Sequence, residues 1–312
     1  MSIDAWIARH AAETPDRPAL ADESHAYSYG ELEARVAKAA GMLRALGVAR
    51  GDRIAHLGYN SADMLVLLFA AARTGAIFLP LNWRLAPPEL AYALEDSGSK
   101  LLFHDAEFGE TVETIRRSGP ALDAVVIDRH GPGDLPSRIA SAAPVTEPAL
   151  AEGEDADLMI VYTSGTTGRP KGAVLGHDAL EANARMGIDM HAMTQEDHVL
   201  TVLPMFHVGG MNIQTTPALR CGARVTLHAR FHPQAFLDAV AAIRPTLTVL
   251  VPATIKAALG LPAWASADLS SLRAVASGSS VVPSALVDAI EARGVPVILV
   301  YGSTETTPIC VY

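Results

Sequence analysis

The chain is expected to be an α/β protein made of two packed sheet-and-helix lobes, and three observations carry that expectation. Short apolar runs without polar alternation recur along the whole length, and between them lie stretches whose apolar residues return at helical spacing. The two patterns alternate, as in a largely parallel sheet covered by helices. Finally, 312 residues that are 50% hydrophobic and 19% charged form a globular composition, with apolar surface for more than one core.

Near the start, Ile3, Trp6, Ile7 and His10 recur at helical spacing, and Thr14, Pro15 and Asp16 end that helix before an extended segment at 18–20. His10 reads as the edge of the apolar face. Ser28 followed three residues later by Glu31 is a capping box, in which hydroxyl and carboxylate each accept from the other residue's backbone N–H. It opens a helix whose apolar line is Leu32, Val36, Ala39, Leu43 and Leu46, and Gly47 stops it. Strand 53–58, helix 61–73, strand 76–81, helix 88–96, strand 100–104 and a short strand at 125–127 follow. Residues 128–157, rich in Ala, Pro, Gly and Glu, have weak periodicity and read as a variable connector. They set the expected division into a first lobe, 1–157, and a second, 158–312, with interleaving of the two left open.

The second half opens on an apolar strand at 158–161. A helix spans 177–190, with Leu180, Ala184 and Ile188 on one face, so that the intervening polar loop is expected to join a strand to a helix. In LPMFHVGGMN, at 203–212, a proline, an aromatic, a histidine and a glycine pair follow one another, which predicts neither regular helix nor strand. His207 is then a loop residue, either free to face a cavity or merely packed in a turn. Strand 223–227, helix 233–243, strand 247–250, a loop into a helix over 251–259 and strand 272–276 come next. The last of these leads into a loop at Ser277, Gly278, Ser279 and Ser280. The run 295–300 reads as a buried parallel strand, and it delivers YGSTETTP at its carboxyl end, where open α/β sheets bind ligands.

Several function classes fall away. The net charge of −10, from 24 basic and 34 acidic residues, gives no general attraction for nucleic acid or an anionic membrane. The two cysteines, Cys221 and Cys310, are far apart and lack metal-ligand spacing, which suits a reducing compartment. The first residues lack a basic segment followed by an apolar one, so they are no signal peptide, and the longest apolar run, 64–72, is far short of the ~20 residues of a membrane span. A cytoplasmic protein is expected. No G-x-S-x-G, H-E-x-x-H, paired C-x-x-C or G-x-G-x-x-G occurs.

The most informative stretch is YTSGTTGRPKG, from Tyr162 to Gly172. It holds Gly165, Gly168 and Gly172, the hydroxyls of Thr163, Ser164, Thr166 and Thr167, and the cations Arg169 and Lys171, directly after an apolar strand. Glycines let successive N–H groups wrap phosphate oxygens, and a lysine adds a point charge. A solvated turn is the alternative, but the donor density and the stiffening Pro170 favour an anion loop. It is no Walker A loop: counted from Gly165, Pro170 stands at the second glycine and Gly172 at the Ser/Thr position. In the YGSTE string, Tyr301 offers a ring for a base to stack on, Thr304 a hydroxyl for phosphate, and Glu305 a hard oxygen ligand, with a purely structural turn as the equal alternative on composition alone.

On these strings the chain resembles the adenylate-forming superfamily of acyl-CoA synthetases, peptide synthetase adenylation domains and beetle luciferases. YTSGTTGRPKG is similar nearly residue for residue to its phosphate loop, and Y-G-x-T-E is similar to its second recognisable string. The segment 80–103 and the P-x-F-H-x-x-G string resemble acyl-CoA synthetases in particular. The resemblance covers essentially all of the chain and implies the N-terminal domain of such an enzyme, ending before the barrel-like part and the C-terminal domain. Family members continue through an acidic ribose-binding residue, a hinge and a small domain with the adenylation lysine, so an N-terminal fragment, inactive by itself, is expected.

The resemblance further implies ATP, Mg2+ and coenzyme A. A carboxylic acid would become an acyl-adenylate and then an acyl-CoA. Thr163, Ser164, Gly165, Thr166, Thr167, Gly168 and Lys171 would hold phosphates, and Ser277, Gly278, Ser279, Tyr301, Gly302, Ser303 and Thr304 would border the nucleotide. Thr166, Lys171, His207 and Glu305 would be catalytic, with Glu305 and Thr166 as magnesium ligands. His207 would lie at the substrate carboxylate, which favours a plain acid over an α-amino acid. The family usually has Gly-Gly-Ala or Gly-Glu-Pro where this chain has Gly278, Ser279 and Ser280, a change that backbone contacts survive and that bears on pocket shape. The surroundings of Met211, 251–254 and 277–281 lack an obvious cation, and a medium or long fatty acid is expected. An aryl-CoA ligase, an acyl-AMP ligase serving a carrier protein, a non-catalytic nucleotide-binding module and a homodimer stay open.

Overall fold

The computed structural model describes residues 3–119, 123–127, 134–151, 154–164 and 168–312. Along the chain the elements run α1 (Ala5–Glu13), β1 (Pro18–Ala21), β2 (Ala26–Ser28), α2 (Tyr29–Ala45), β3 (Arg53–Leu57), α3 (Ala62–Thr74), β4 (Ile77–Pro80), α4 (Pro87–Ser97), β5 (Ser99–Asp105), α5 (Gly109–Ser118), β6 (Asp123–Ile127), α6 (Asp134–Ser141), β7 (Asp157–Thr163) and β8 (Lys171–Gly176). They continue as α7 (His177–His191), β9 (His198–Thr201), α8 (Val208–Asn212), α9 (Thr215–Cys221), β10 (Arg224–Leu227), α10 (Pro233–Ile243), β11 (Leu247–Leu250), α11 (Pro252–Leu259), β12 (Ala274–Gly278), α12 (Ser284–Glu291) and β13 (Val297–Val300). The expected α/β alternation is present, with two sheets flanked by helices. Among the described residues no helix is long and apolar enough to cross a membrane.

Two compact units emerge, Met1–Arg17 with Tyr27–Glu181, and Pro18–Ala26 with Ala182–Tyr312. The expected boundary at 157/158 is therefore displaced to a point inside α7. The physical reason is strand pairing: β7 joins β4 through Phe78 and Met159 and also pairs with β8, so the phosphate string belongs to the first unit.

The first unit's sheet has the order β6-β5-β3-β4-β7-β8. All its pairings are parallel except β7 with β8, and that exception corrects the expected strand-to-helix setting of the phosphate string. The string turns between two antiparallel strands, and α7 begins only after β8. The capping box forms as expected: Glu31 N–H donates to Ser28 Oγ at 3.2 Å, and Ser28 N–H donates to Glu31 Oε2 at 2.8 Å. Helix α3 is buried on every side, which its nearly unbroken apolar sequence permits. Its one buried cation, Arg73, donates to both carboxylate oxygens of Glu33, at 2.6 and 2.9 Å, so the charge stays satisfied. Helices α5 and α6 were not expected from the sequence; α6 lies within the supposed connector.

The second unit's sheet has the order β13-β12-β11-β9-β10-β1-β2. One face packs on a core that includes Leu200, Phe236, Val240, Ile255 and Leu272. Three expectations are corrected here. Strand β13 is an edge strand with Leu299 half exposed, not a buried one, because nothing described pairs with its outer side. Ser277 and Gly278 belong to β12 itself, paired with Leu299 and Val300, and the loop starts only at Ser279. Residues 208–212 form the short helix α8, because the carbonyl of His207 accepts from the N–H groups of Gly210 and Met211.

At the amino ends of the strands, Asp197 accepts from Arg273 Nε and Nη2 at 2.7 and 2.8 Å, Thr246 Oγ1 at 2.6 Å and Thr194 N–H at 2.8 Å. Burial opposes ionisation there, but these hydrogen bonds, with Arg273 foremost, outweigh it and hold the carboxyl below the usual range.

Two buried histidines are held neutral. His191 Nδ1–H donates to Gly187 O at 2.7 Å, leaving Nε2 to accept from the Gln214 amide at 2.9 Å. His198 repeats the arrangement with Ile243 O at 3.2 Å and the Thr226 hydroxyl at 2.8 Å. Burial pushes both pKa values down to about 4. Unfolded imidazoles take up protons first as the pH falls, so this stability is complete above about pH 6.5 and is lost between about 6.5 and 4. The loss is at most about 3 kcal/mol per histidine. Urea unfolding midpoints should therefore decline across that window, and replacing either residue with glutamine should flatten the decline; an unchanged slope in both variants contradicts the assignment.

Candidate functional site

In the first unit, β7 carries its apolar residues into the core and presents Tyr162 and Thr163 at its carboxyl end. Thr163 pairs with Lys171 across the hairpin, so the two ends of the phosphate string stand side by side. The expected site residues Gly165, Thr166 and Thr167 lie outside the described residues. Ser164 and Gly168, with Arg169 and Pro170, line a cleft of about 400 Å³ whose other wall is Pro88, Glu89 and Tyr92 of α4. Gly168 has φ +88°, in the left-handed region that favours glycine, and a Cβ added there would meet nothing within 4 Å among the described residues. Lys171 is exposed.

In the second unit the remaining candidates gather at one end of the sheet. From β9 the chain moves outward to β10 and then returns across β9 to β11, β12 and β13, so the strand order reverses between β9 and β11. A crevice at the carboxyl ends beside such a reversal is where open parallel sheets take ligands. His207 follows β9 at that end, exposed, with its ring centroid 4.4 Å from that of Phe206. Ser279 follows β12 with φ +67°, and its Oγ lies beside Gly209, 3.4 Å from where a Cβ would stand. Ser277 is fully buried, and its hydroxyl has no hydrogen-bond partner among the described residues.

The YGSTE string follows β13. Tyr301 is pinned by its backbone, whose N–H donates to Val311 O at 2.9 Å and whose carbonyl accepts from Cys310 N–H at 2.9 Å. The residue as a whole is 73% exposed. Gly302 packs so tightly that a Cβ would overlap the carbonyl oxygen of Pro308. Ser303 precedes a 3₁₀ turn over Thr304–Thr306, and the Thr306 hydroxyl knots it by accepting from Ser303 N–H at 2.9 Å. Glu305 is exposed on that turn, and its own backbone N–H together with the Ser303 hydroxyl holds its carboxyl below the usual range.

Sequence reasoning missed Asn183. It is buried on α7, its amide donates to Asn212 O at the end of α8 at 2.7 Å, and its Oδ1 accepts from Ile309 N–H at 3.1 Å. One side chain thus ties the helix after His207 to the segment after the YGSTE turn.

A family model described as AMP-binding enzyme matches residues 7–312. The chain belongs to the AMP-binding enzyme family. Among curated members it is 45% identical to the indoleacetate–CoA ligase of Aromatoleum aromaticum, covering 100% of this chain and 62% of that protein. It is 40% identical to a feruloyl-CoA synthase of Amycolatopsis sp., over 98% of this chain and 60% of that one. Among solved structures it superposes on the N-terminal domain of FACL13 from Mycobacterium tuberculosis with a TM-score of 0.90 at 30% identity, covering 98% of this chain and 77% of that domain. The AMP-binding chain described here thus spans about 60% of the length of these two curated relatives.

Proposed function

We propose that the protein activates a carboxylic acid with ATP and passes the acyl group to coenzyme A. The observation that carries this reading is the family match over 7–312, with the strings singled out in the sequence standing at the carboxyl ends of β7, β9, β12 and β13. A carboxylate oxygen would attack the α-phosphate, breaking its bond to pyrophosphate and leaving an acyl-adenylate. The coenzyme A thiol would then attack the acyl carbon and expel AMP. On the first unit, Thr163, Ser164, Gly168 and Lys171 would bind phosphate oxygens through N–H, hydroxyl and ammonium donors. On the second, Tyr301 would stack on the base, Thr304 would donate to phosphate, and His207 would orient the substrate carboxylate.

Magnesium fits this donor set modestly. Among the described residues no three His, Cys, Asp or Glu side chains converge on a cation site. An ion that keeps much of its water and binds through substrate phosphates needs only one protein carboxylate, and the ionised Glu305 offers it. Bound there, magnesium would neutralise phosphate charge. Glu305→Gln is expected to weaken magnesium-dependent adenylation while leaving the fold intact. An unchanged magnesium requirement contradicts the assignment.

For the substrate, the names of the relatives at 45% and 40% identity support an aromatic carboxylic acid over the medium or long fatty acid expected from the residues alone. Pyrophosphate release by the full-length protein with indoleacetate, ferulate, octanoate and palmitate tests the choice. Preference for the first two is expected, and turnover of the fatty acids alone overturns it. His207→Ala should depress adenylation with every acid and barely move the melting temperature, since its exposed ring contributes little core packing. Lost stability with normal specific activity would make the residue structural.

A further inference from the structure

Helix α4, the far wall of the cleft at the phosphate string, also grips both stems of that string. Tyr162, at the end of β7, donates its hydroxyl to Asp96 Oδ2 at 2.7 Å. Tyr92, one helical turn before Asp96, places its hydroxyl 3.3 Å from the carbonyl oxygen of Pro170 and 3.5 Å from Asp96 Oδ1. The two tyrosine rings meet edge to face, with centroids 6.4 Å apart and planes at 80°. Asp96 thus stands between two phenols, one on the strand into the string and one touching its last proline. Burial and the Asp96 carboxylate push the Tyr162 phenol above its usual range, so it stays a donor.

We infer that Tyr162, Asp96 and Tyr92 form a clamp that fixes the two described stems of the phosphate string for ATP binding; they are positioning residues and touch no reacting atom. The inference rests on the proposed phosphate role of that string. A loop whose N–H groups must converge on an anion binds best when its stems are fixed beforehand, because ordering it during binding costs affinity. Tyr92 and Tyr162 fix the two stems to one rigid helix.

The test is ATP affinity by calorimetry on the full-length protein, with steady-state KM values for ATP and for the acid. Tyr162→Phe removes one hydroxyl and leaves the ring in place. It should weaken ATP binding about fivefold to tenfold, as the loss of one good hydrogen bond does, and raise KM for ATP while KM for the acid stays put. Asp96→Ala should match it, and Asp96→Asn, which keeps an acceptor oxygen, should recover most of the affinity. The double variant Tyr162→Phe/Asp96→Ala should be no weaker than either single one, since both remove the same bond. Wild-type ATP affinity in both single variants, additive losses, or equal shifts in both KM values overturn the clamp. Lys171→Ala separates the two readings. If it too leaves ATP affinity unchanged, the phosphate role itself is wrong; if it alone weakens binding, only the clamp is.

Discussion

Replacing Lys171 with alanine is expected to slow acyl-adenylate formation by about 10²- to 10³-fold, the usual effect of removing one preorganised donor from developing charge. The ammonium is exposed at the head of β8, beside Thr163, so its loss leaves the hairpin pairing in place. Circular dichroism and melting temperature should therefore stay at wild-type values while single-turnover formation of the adenylate collapses. Arginine at this position keeps the charge with a different geometry and should restore only part of the rate. A rate within about twofold of wild type in the alanine variant would remove the lysine from the machinery.

The largest stability effect is expected at Asp197. Its carboxylate is 5% exposed and accepts from Arg273, Thr246 and Thr194, which belong to the segments leading into β12, β11 and β9. Asp197→Ala leaves those donors without their shared acceptor at the amino ends of three strands, at a cost of about 3 kcal/mol, the low end for a buried pair because Arg273 is 37% exposed. Asp197→Asn keeps one acceptor oxygen and should cost less. Because the Asp197 pKa lies below the ordinary carboxylate value, this contribution is present at neutral pH and vanishes as the pH falls through the folded-state pKa. Urea unfolding of the two variants at pH 7 measures the difference, and equal midpoints for wild type and alanine contradict it.

What was legible in the sequence depended on how local its cause was. The Ser28–Glu31 box closes within one helical turn, and α3 announces itself by an apolar run, so both were read correctly with their ends shifted by one or two residues. Helix α5, GETVETIRRS, buries Val112 and Ile115 among charged neighbours, and α6 relies on Leu135 and Ile139; two such anchors are too few for a periodic signal. Helix α8 holds two glycines and looked like a loop. Packing overrides that propensity, with the Thr215 hydroxyl donating to Gly210 O at 2.8 Å. The antiparallel turn of β8 onto β7 and the edge position of β13 are matters of strand pairing, which a single run of residues does not encode.

The candidate site divides in the same way. Its strings could be found because each is dense in chemistry over a few consecutive residues. The residues that hold them in place could not. Asn183 and Ile309 are 126 positions apart, and Asp96 and Tyr162 are 66 apart, and nothing local marks either pair. Only Tyr92 and Asp96, four residues apart on α4, share a visible helical face, and their partner lies on another element.

The central claim, that a carboxylate oxygen attacks the α-phosphate of ATP, is tested most directly by isotope transfer. The full-length protein is incubated with ATP, magnesium, coenzyme A and indoleacetate carrying heavy oxygen in its carboxylate, and the products are weighed by mass spectrometry. An acyl-adenylate route leaves one labelled oxygen on AMP, because the bond between that oxygen and the acyl carbon breaks when the thiol enters. Label found on inorganic phosphate with none on AMP would mean an acyl-phosphate route and would contradict the account.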